Sequence, residues 1–478
     1  MRAPYSLIAA AVAAAAVAGC ALKPPPARED VAAQALPNYQ LTEHWSAMAG
    51  GSGAVADRWL AAFRDARLDA LVAEALAFNP DLRLAAARVE EAAAYVRLSG
   101  GTLYPQVNLL AKGSLGADSS GVQGVGVFIN WELDLWGRIR SGQQAAQDQY
   151  ASAELDAEYA RQSIAALVAK GWFLATEARL QKANAEEMVA AAERQLGFAQ
   201  DRLRVGVGDE YDVTQARASL AGYRDSVQSL DLAFRQALRA LETLAGRYPA
   251  AQIDVPASLA ALPGPVPVGM PAELLERRPD VVAAERRVAA AFYRVEEAKA
   301  AKLPRISLTA AVNSISSDVF VLKDRDNPVW SIGAGLLQPL YLGGQLQAQE
   351  DIRTAQQKQA IAEYGRVGAR AFGEVESALA AEFNLVAREA LLAQAVADNT
   401  RALELANIRY RVGSGDLRAV QQQLLALAAA RTALLRVQSE QRVQRVNLHL
   451  ALGGSFDDAP AVSQAAVGGT PAETAAPR

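Results

Sequence analysis

The sequence predicts a mixed, mainly α-helical fold made of two tandem structural repeats, each with a β-hairpin and long helices. The first observation is that two motifs recur: Asn-Pro-Asp-Leu at 79–82 returns as Arg-Pro-Asp-Val at 278–281, and Arg-Val-Gly-Val-Gly-Asp at 204–209 returns as Arg-Val-Gly-Ser-Gly-Asp at 411–416. The others are a pair of long proline-free segments and two pairs of segments with alternating apolar residues. Because the copies lie roughly 200 residues apart, the repeated unit is a structural half rather than a solenoid repeat.

Composition favours long helices over a thick globular core. The chain is 51% hydrophobic but only 6% aromatic, since alanine supplies much of the apolar fraction, and alanine is a strong helix former. The formal net charge is −4 and the basic residues are scattered. A nucleic-acid partner is therefore not expected.

The N-terminus predicts export. Arg2 precedes an apolar run, Leu7–Ala18, that is too short to span a bilayer and is followed by Gly19-Cys20. These features are typical of a secretory signal peptide, here residues 1–19.

Cys20 is the only cysteine in the chain. Its position resembles a bacterial lipoprotein box, which would make it the lipidated first residue of the mature protein. The alternative is an ordinary signal peptide with an incidental cysteine. Residues 20–58 are expected to form a tether, extended between Lys23 and Pro37 because of the run Pro24-Pro25-Pro26.

Alternating apolar and mostly polar residues predict strands at about 103–113, 122–135, 303–314 and 329–341. Tilted strands of about 10 to 13 residues can cross a hydrocarbon layer. Turn-rich segments would then form outer loops, at Gly113–Gly121 and Ser314–Pro328. The alternative is a soluble four-stranded sheet with one face exposed to solvent. Since a barrel needs about eight strands, a membrane location would require several chains to share one barrel.

Two proline-free segments, Gly137–Arg204 and Gly344–Arg411, each allow a helix of roughly 67 residues, or about 100 Å. They are too polar for membrane spans and need neighbouring helices for support. Shorter helices are expected at Glu210–Gly246 and Ala272–Lys302. The segment Arg67–Ser99 is the first-half counterpart of the helix at 272–302. An irregular belt is expected at 248–271. The resulting division is first repeat 59–246, linker 247–271, second repeat 272–454 and disordered tail 455–478.

The two Arg-Val-Gly-x-Gly-Asp motifs predict turns that end one helix at a glycine and begin the next at an aspartate. Both turns are expected a full helix length from the strands, at the tip of a long rod. The candidate residues are Arg204, Gly206, Asp209, Arg411, Gly413 and Asp416. The simple role of the two aspartates is N-capping, and the sharper hypothesis is a carboxylate ring that sets an aperture and meets a partner.

Several motifs together resemble the outer-membrane efflux proteins of the TolC-like group, in its lipoprotein (NodT-type) branch. They are Trp59, Phe63, Asp65 and Asn79-Pro80-Asp81-Leu82; the run from Trp131 to Arg138; Leu275 to Val281; Leu303-Pro304; and Gln338-Pro339-Leu340 with Gly343-Gly344. The resemblance implies a homotrimer whose twelve strands form one outer-membrane barrel above a periplasmic helical tunnel. It also implies a periplasmic adaptor and an inner-membrane pump, of the RND type, as partners.

One position departs from that pattern. Family members often carry an aspartate in an acidic constriction about two turns past the second tip glycine, where this chain has Gln422. The resemblance therefore implies a polar, uncharged constriction here.

No arrangement of residues predicts an enzyme, a cofactor or a metal site. His44 and His449 are isolated and are expected at the surface, and no glycine-rich loop follows a strand. The favoured function is a passive exit duct for small molecules such as drugs or metal ions. Two alternatives stay open: an outlet for type I protein secretion, and a lipid-anchored periplasmic coiled-coil scaffold without a pore.

Overall fold

The computed structural model describes residues 22–39, 45–47, 55, 57–112, 123–316 and 329–456. The predicted signal peptide, Cys20, His44 and most of the expected outer loops and tail lie outside these residues. The described chain is mainly helical with one four-stranded antiparallel sheet, so the predicted fold class is confirmed. Among the helices in this part of the chain, none is both long enough and apolar enough to cross a membrane.

The helices confirm the duplication because they come in pairs of equal length. The long helices α4 (Arg138–Arg204) and α8 (Gln345–Arg411) have 67 residues each. They are followed by α5 (Glu210–Leu244) and α9 (Leu417–Ala451), of 35 residues each. Those preceding the hairpins, α3 (Pro80–Gly101) and α7 (Pro279–Ala300), have 22 each. The remaining helices are α1 (Arg28–Ala35), α2 (Ala66–Phe78), α6 (Leu274–Arg277) and two 3-10 turns, Trp59–Phe63 and Pro271–Glu273.

Two expected helices are each broken in two, which corrects the prediction. The segment 67–99 breaks at Asn79 and the segment 272–302 at Arg278, where both residues have extended backbone (ψ 128° and 119°). Each precedes a proline, whose ring disfavours helical geometry in the residue before it.

The strands β1 (Gln106–Lys112), β2 (Gln123–Leu133), β3 (Arg305–Ser316) and β4 (Val329–Leu337) pair in chain order. They are shorter than predicted at the ends that adjoin helices. Pro105 and Pro304 directly precede β1 and β3, and Pro339 follows β4. Proline lacks the amide that a sheet ladder needs, so pairing stops near it.

The described residues divide into two compact units, of which the first lies within 1–39, 86–156 and 280–368. Its N-terminal segment corrects the expected extended tether, because residues 28–35 form α1. Val31 is buried, and Arg28 pairs with Glu285 on α7 at 2.7 Å. The Ala35 carbonyl lies 2.6 Å from where a β-carbon at Gly365 would be. Burial of apolar side chains thus outweighs the extended preference of the adjacent prolines.

The second unit comprises residues 40–85, 157–279 and 369–478. Its core is built on a buried stripe of α4, including Ala165, Ala169 and Trp172. Phe63 packs on Phe173 with ring centroids 4.9 Å apart. The Trp172 indole donates to Asp65 at 2.9 Å, while the other carboxylate oxygen of Asp65 caps α2.

Candidate functional site

The sheet presents one apolar face whose residues line up across all four strands. Val107, Ile129, Ala310 and Ile332 form one cross-strand row, and Leu109, Val127, Val312 and Trp330 form the next. Directly paired residues lie on the same face of a sheet. This face is uncovered: Trp330 is 73% and Ile332 77% exposed. An apolar surface of this extent marks an interaction with another molecule or a membrane.

The opposite face is mostly polar. Gln106, Asn130, Thr309 and Gly333 form one row, and Asn108, Phe128, Ala311 and Ser331 another. In the order β1-β2-β3-β4, the outer edges of β1 and β4 have no strand partner among the described residues. Such edges are templates for pairing with another chain.

The segment 131–138 joins the sheet to α4 through side-chain contacts. Arg138 donates to both carboxylate oxygens of Glu132, at 2.9 Å each. Asp134 accepts from the amides of Ile139 and Arg140 at 3.0 and 2.9 Å, and so caps the helix. The Trp136 indole donates to the Pro304 carbonyl at 2.7 Å. These contacts fix the direction of the helix relative to the strand it follows.

Each tip turn ends a long helix in a Schellman motif. In the first, Gly206 has φ +79° and the amide of Val207 donates to the Arg202 carbonyl at 3.0 Å. In the second, Gly413 has φ +75° and Ser414 donates to Arg409 at 2.9 Å. Glycine is favoured at these positions because left-handed backbone strains other residues.

Both predicted aspartates begin the next helix. Asp209 accepts from the Asp212 amide, and Asp416 from the Ala419 amide, at 2.8 Å each. Both aspartates are exposed, as is Gln422 in the second turn of α9. These contacts give the aspartates the geometry of N-caps.

The two turns lie together, and a pair of residues that the sequence analysis missed joins them. Arg202 donates to the Tyr410 carbonyl at 3.0 Å, and its guanidinium lies 4.9 Å from the Tyr410 ring centroid. Tyr410 is buried, and its hydroxyl donates to Asp212 at 3.4 Å. Burial, followed by the charge of Asp212, raises the pKa of this phenol. The only available signal was the position of each residue just before a repeated motif.

The basic residues of the motifs have partners other than the capping aspartates. Arg204 pairs with Asp201 at 2.7 Å, and the Arg411 guanidinium lies 4.6 Å from the Phe198 ring centroid. The structure therefore brings the two turns together without joining Arg204 to Asp209.

The two helix breaks form matching junctions in the second unit. Asn79 donates to the Leu244 carbonyl at the end of α5 (2.9 Å), and Arg278 donates to the Ala451 carbonyl at the end of α9 (3.1 Å). The Arg278 side chain is fully buried and also pairs with Glu374 at 2.7 Å. The hydrogen bond to the end of α5 or α9 is thus donated by a neutral amide in one repeat and by a guanidinium that also forms an ion pair in the other.

His449 corrects the prediction of a surface histidine. It is 5% exposed and stacks on Trp59 with ring centroids 5.9 Å apart. Burial, with a smaller effect of Arg445, lowers the pKa of His449 to about 3. The imidazole is therefore neutral and part of the core.

Comparison with known proteins identifies the family. The model of the outer membrane efflux protein family matches residues 71–247 and 270–454. The chain is 29% identical over 455 residues to the cation efflux system protein CusC of Escherichia coli O6:H1, covering 92% of this chain and 97% of that protein. It is 30% identical over 471 residues to the toluene efflux pump outer membrane protein TtgC of Pseudomonas putida, covering 94% and 96%. Among solved structures, the outer-membrane channel OprN has a TM-score of 0.79 at 26% identity, covering 88% of this chain and 99% of that chain. This protein therefore belongs to the outer membrane efflux protein family.

Proposed function

We propose that the protein is the outer-membrane exit duct of a tripartite efflux system, in which three copies close one twelve-stranded barrel. The observation that carries this proposal is the four-stranded sheet, which has an exposed apolar face and two edges without a strand partner in the described part of the chain. In lipid, unpaired edge groups cost several kcal/mol each, so only a closed barrel is stable there. Three chains supply twelve strands, above the practical minimum of about eight.

The partners follow from the same proposal. The named relatives belong to an efflux system and an efflux pump, which supports a periplasmic adaptor and an inner-membrane pump of the RND type as the partners that would drive transport. The helices α4 and α8, about 100 Å each if straight, would form the periplasmic tunnel. The named relatives act in cation and toluene efflux, which supports small molecules or metal ions as the cargo.

A matched pair of substitutions on β4 tests the membrane location. Ile332→Arg places a charge on the apolar face, which should cost roughly 2–4 kcal/mol at mid-bilayer depth. Ser331→Arg places the same charge on the polar face, where water is available. We expect Ile332→Arg to lower the yield of outer-membrane trimers and efflux complementation, and Ser331→Arg to keep both. Both positions are exposed in a single chain, so only a membrane against the apolar face would make the two variants differ. Equal trimer yields would therefore contradict the proposal.

Two site assignments belong to this proposal. Cys20 would carry the lipid anchor, so Cys20→Ser should lose labelled palmitate; equal labelling of both proteins would rule out that anchor.

The tip residues would form the periplasmic aperture and meet the adaptor. They are Arg204, Gly206, Asp209, Arg411, Gly413, Asp416 and Gln422.

Two substitutions at Asp416 can distinguish its role as an N-cap from the effect of its negative charge. Asp416→Asn keeps the hydrogen bond to the Ala419 amide, whereas Asp416→Ala loses it at a cost of about 1 kcal/mol. We expect the Asn variant to change single-channel conductance or cation selectivity in planar bilayers without lowering the melting temperature. Wild-type conductance and selectivity in that variant would limit Asp416 to capping.

A further inference from the structure

On the polar face, the charged side chains that the structure describes lie only near the strand ends. Glu132 and Arg305 lie where β2 ends and β3 begins. Further along the strands, the polar-face positions in the rows containing Asn130 and Asn108 hold amides, hydroxyls, glycine, alanine and one phenylalanine. The middle of this face is therefore uncharged in every copy of the chain.

The charges at the strand ends are too far away to act strongly on the middle. Ser331 lies in the row of Asn108, Phe128 and Ala311. Along the strands, Glu132 is about 13 Å from this row and Arg305 about 20 Å, at roughly 3.3 Å per residue. The screening length is about 8 Å at physiological ionic strength. Glu132 is in addition neutralised by its two hydrogen bonds from Arg138.

The same rows present short side chains. A β-carbon at Gly333 would lie 3.1 Å from the Thr309 hydroxyl, and one at Gly335 would lie 3.2 Å from the Ser307 hydroxyl. The hydroxyls thus lie over the glycines of the neighbouring strand. Small hydroxyl and amide groups of this kind can hydrogen bond to solutes of either charge.

We infer that the middle of the passage enclosed by the sheet does not sort solutes by charge, so that anionic, cationic and neutral small molecules pass it alike. This inference deepens the proposed function and rests on it, because the polar face becomes a lumen only if the apolar face meets lipid. Selection among cargoes would then occur elsewhere along the route.

A single introduced thiol can report the local potential directly. In Ser331→Cys, the rates of modification by a cationic (trimethylammonium) and an anionic (sulfonate) methanethiosulfonate are measured on intact cells. Each rate is divided by the rate of that reagent with a free thiol in solution. The wild-type protein, whose only cysteine is Cys20, provides the blank.

We expect the two corrected rates to agree within about threefold, since a cleft lined by one sign of charge changes encounter rates by about tenfold or more. A larger preference for either reagent would overturn the inference. The positive control is Ala311→Asp combined with Ser331→Cys. Because residues 311 and 331 are direct cross-strand partners, the added carboxylate should favour the cationic reagent about tenfold. No change in this control would also count against the inference, since the two residues would not share one water-filled space.

Ile332→Cys separates this inference from the function on which it rests. A thiol at position 332 should be unreactive to both charged reagents if the apolar face meets lipid. If it reacts as fast as the thiol at position 331, the membrane location itself is contradicted. If it is protected while the thiol at 331 prefers one charge, the exit duct stands and only the uncharged lumen is wrong.

Discussion

Gly365 shows how the absence of one side chain decides where the N-terminal segment lies. A β-carbon there would approach the Ala35 carbonyl to 2.6 Å, whereas one at Gly373 on the same helix would meet nothing within 4 Å. Gly365→Ala should therefore displace α1 and expose Val31. The matched control Gly373→Ala should stabilise α8 by about 0.5–1 kcal/mol and leave α1 in place. Deuterium uptake by residues 28–35 measures this, and unchanged uptake in Gly365→Ala would contradict the predicted contact.

His449 makes the stability of the second unit depend on pH. Its pKa of about 3 in the folded state is below its ordinary value of 6.5. As the pH falls below 6.5, the unfolded state therefore binds a proton that the folded state does not, and stability is lost until the pH reaches about 3. At about pH 5 this loss is about 2 kcal/mol.

A His449→Phe variant removes the titrating group and keeps a ring over Trp59. Its guanidinium midpoint should fall less than that of the wild type between about pH 7 and pH 5. Other titrating groups contribute equally to both proteins and cancel in the difference. Identical pH dependence in the two proteins would show that His449 is accessible to protons in the folded state.

At the scale of elements, the sequence predicted correctly the helix starts that local residues determine. The long helices begin within one residue of the predicted starts, because glycine at each end and aspartate after each turn are strong helix signals. The breaks at Asn79 and Arg278 were missed although the sequence carries their signal, since a proline follows each residue and disfavours helical geometry in the residue before it. Likewise, α1 was missed because three prolines suggested extended chain, whereas the burial of Val31 depends on tertiary contact.

The two helix-break junctions allow one repeat to be tested against the other. By the common offset of α4 and α8, Leu167 corresponds to Glu374. Asn79 corresponds to Arg278 because each directly precedes the proline that begins α3 or α7. Glu374→Leu alone removes one acidic partner of the buried Arg278 guanidinium and should lower the free energy of unfolding by roughly 1–3 kcal/mol. Adding Arg278→Asn recreates the neutral junction of the first repeat and should recover most of that loss. Unfolding free energies of both single variants and the double variant test this, and additive losses would show that the two junctions are not equivalent.

At the scale of the whole molecule, the contacts within a single chain do not account for the two exposed faces and open edges of the sheet. Apolar alternation predicted the two faces correctly, and the cross-strand register shows that the apolar residues of all four strands coincide. Both faces and both edges lack cover within the described residues of one chain. The assembly that would cover them depends on contacts between copies, which the periodicity of one sequence does not specify.

Quenching of Trp330 fluorescence by brominated phospholipids tests most directly whether the apolar face lies in lipid. Trp330 is 73% exposed on that face, near the start of β4. With bromine on the upper acyl chain, the reconstituted wild-type protein should be quenched clearly more than Trp330→Phe, because bromine quenches only indoles close to it. Equal fractional quenching of the two proteins would place Trp330 outside the bilayer and contradict the account.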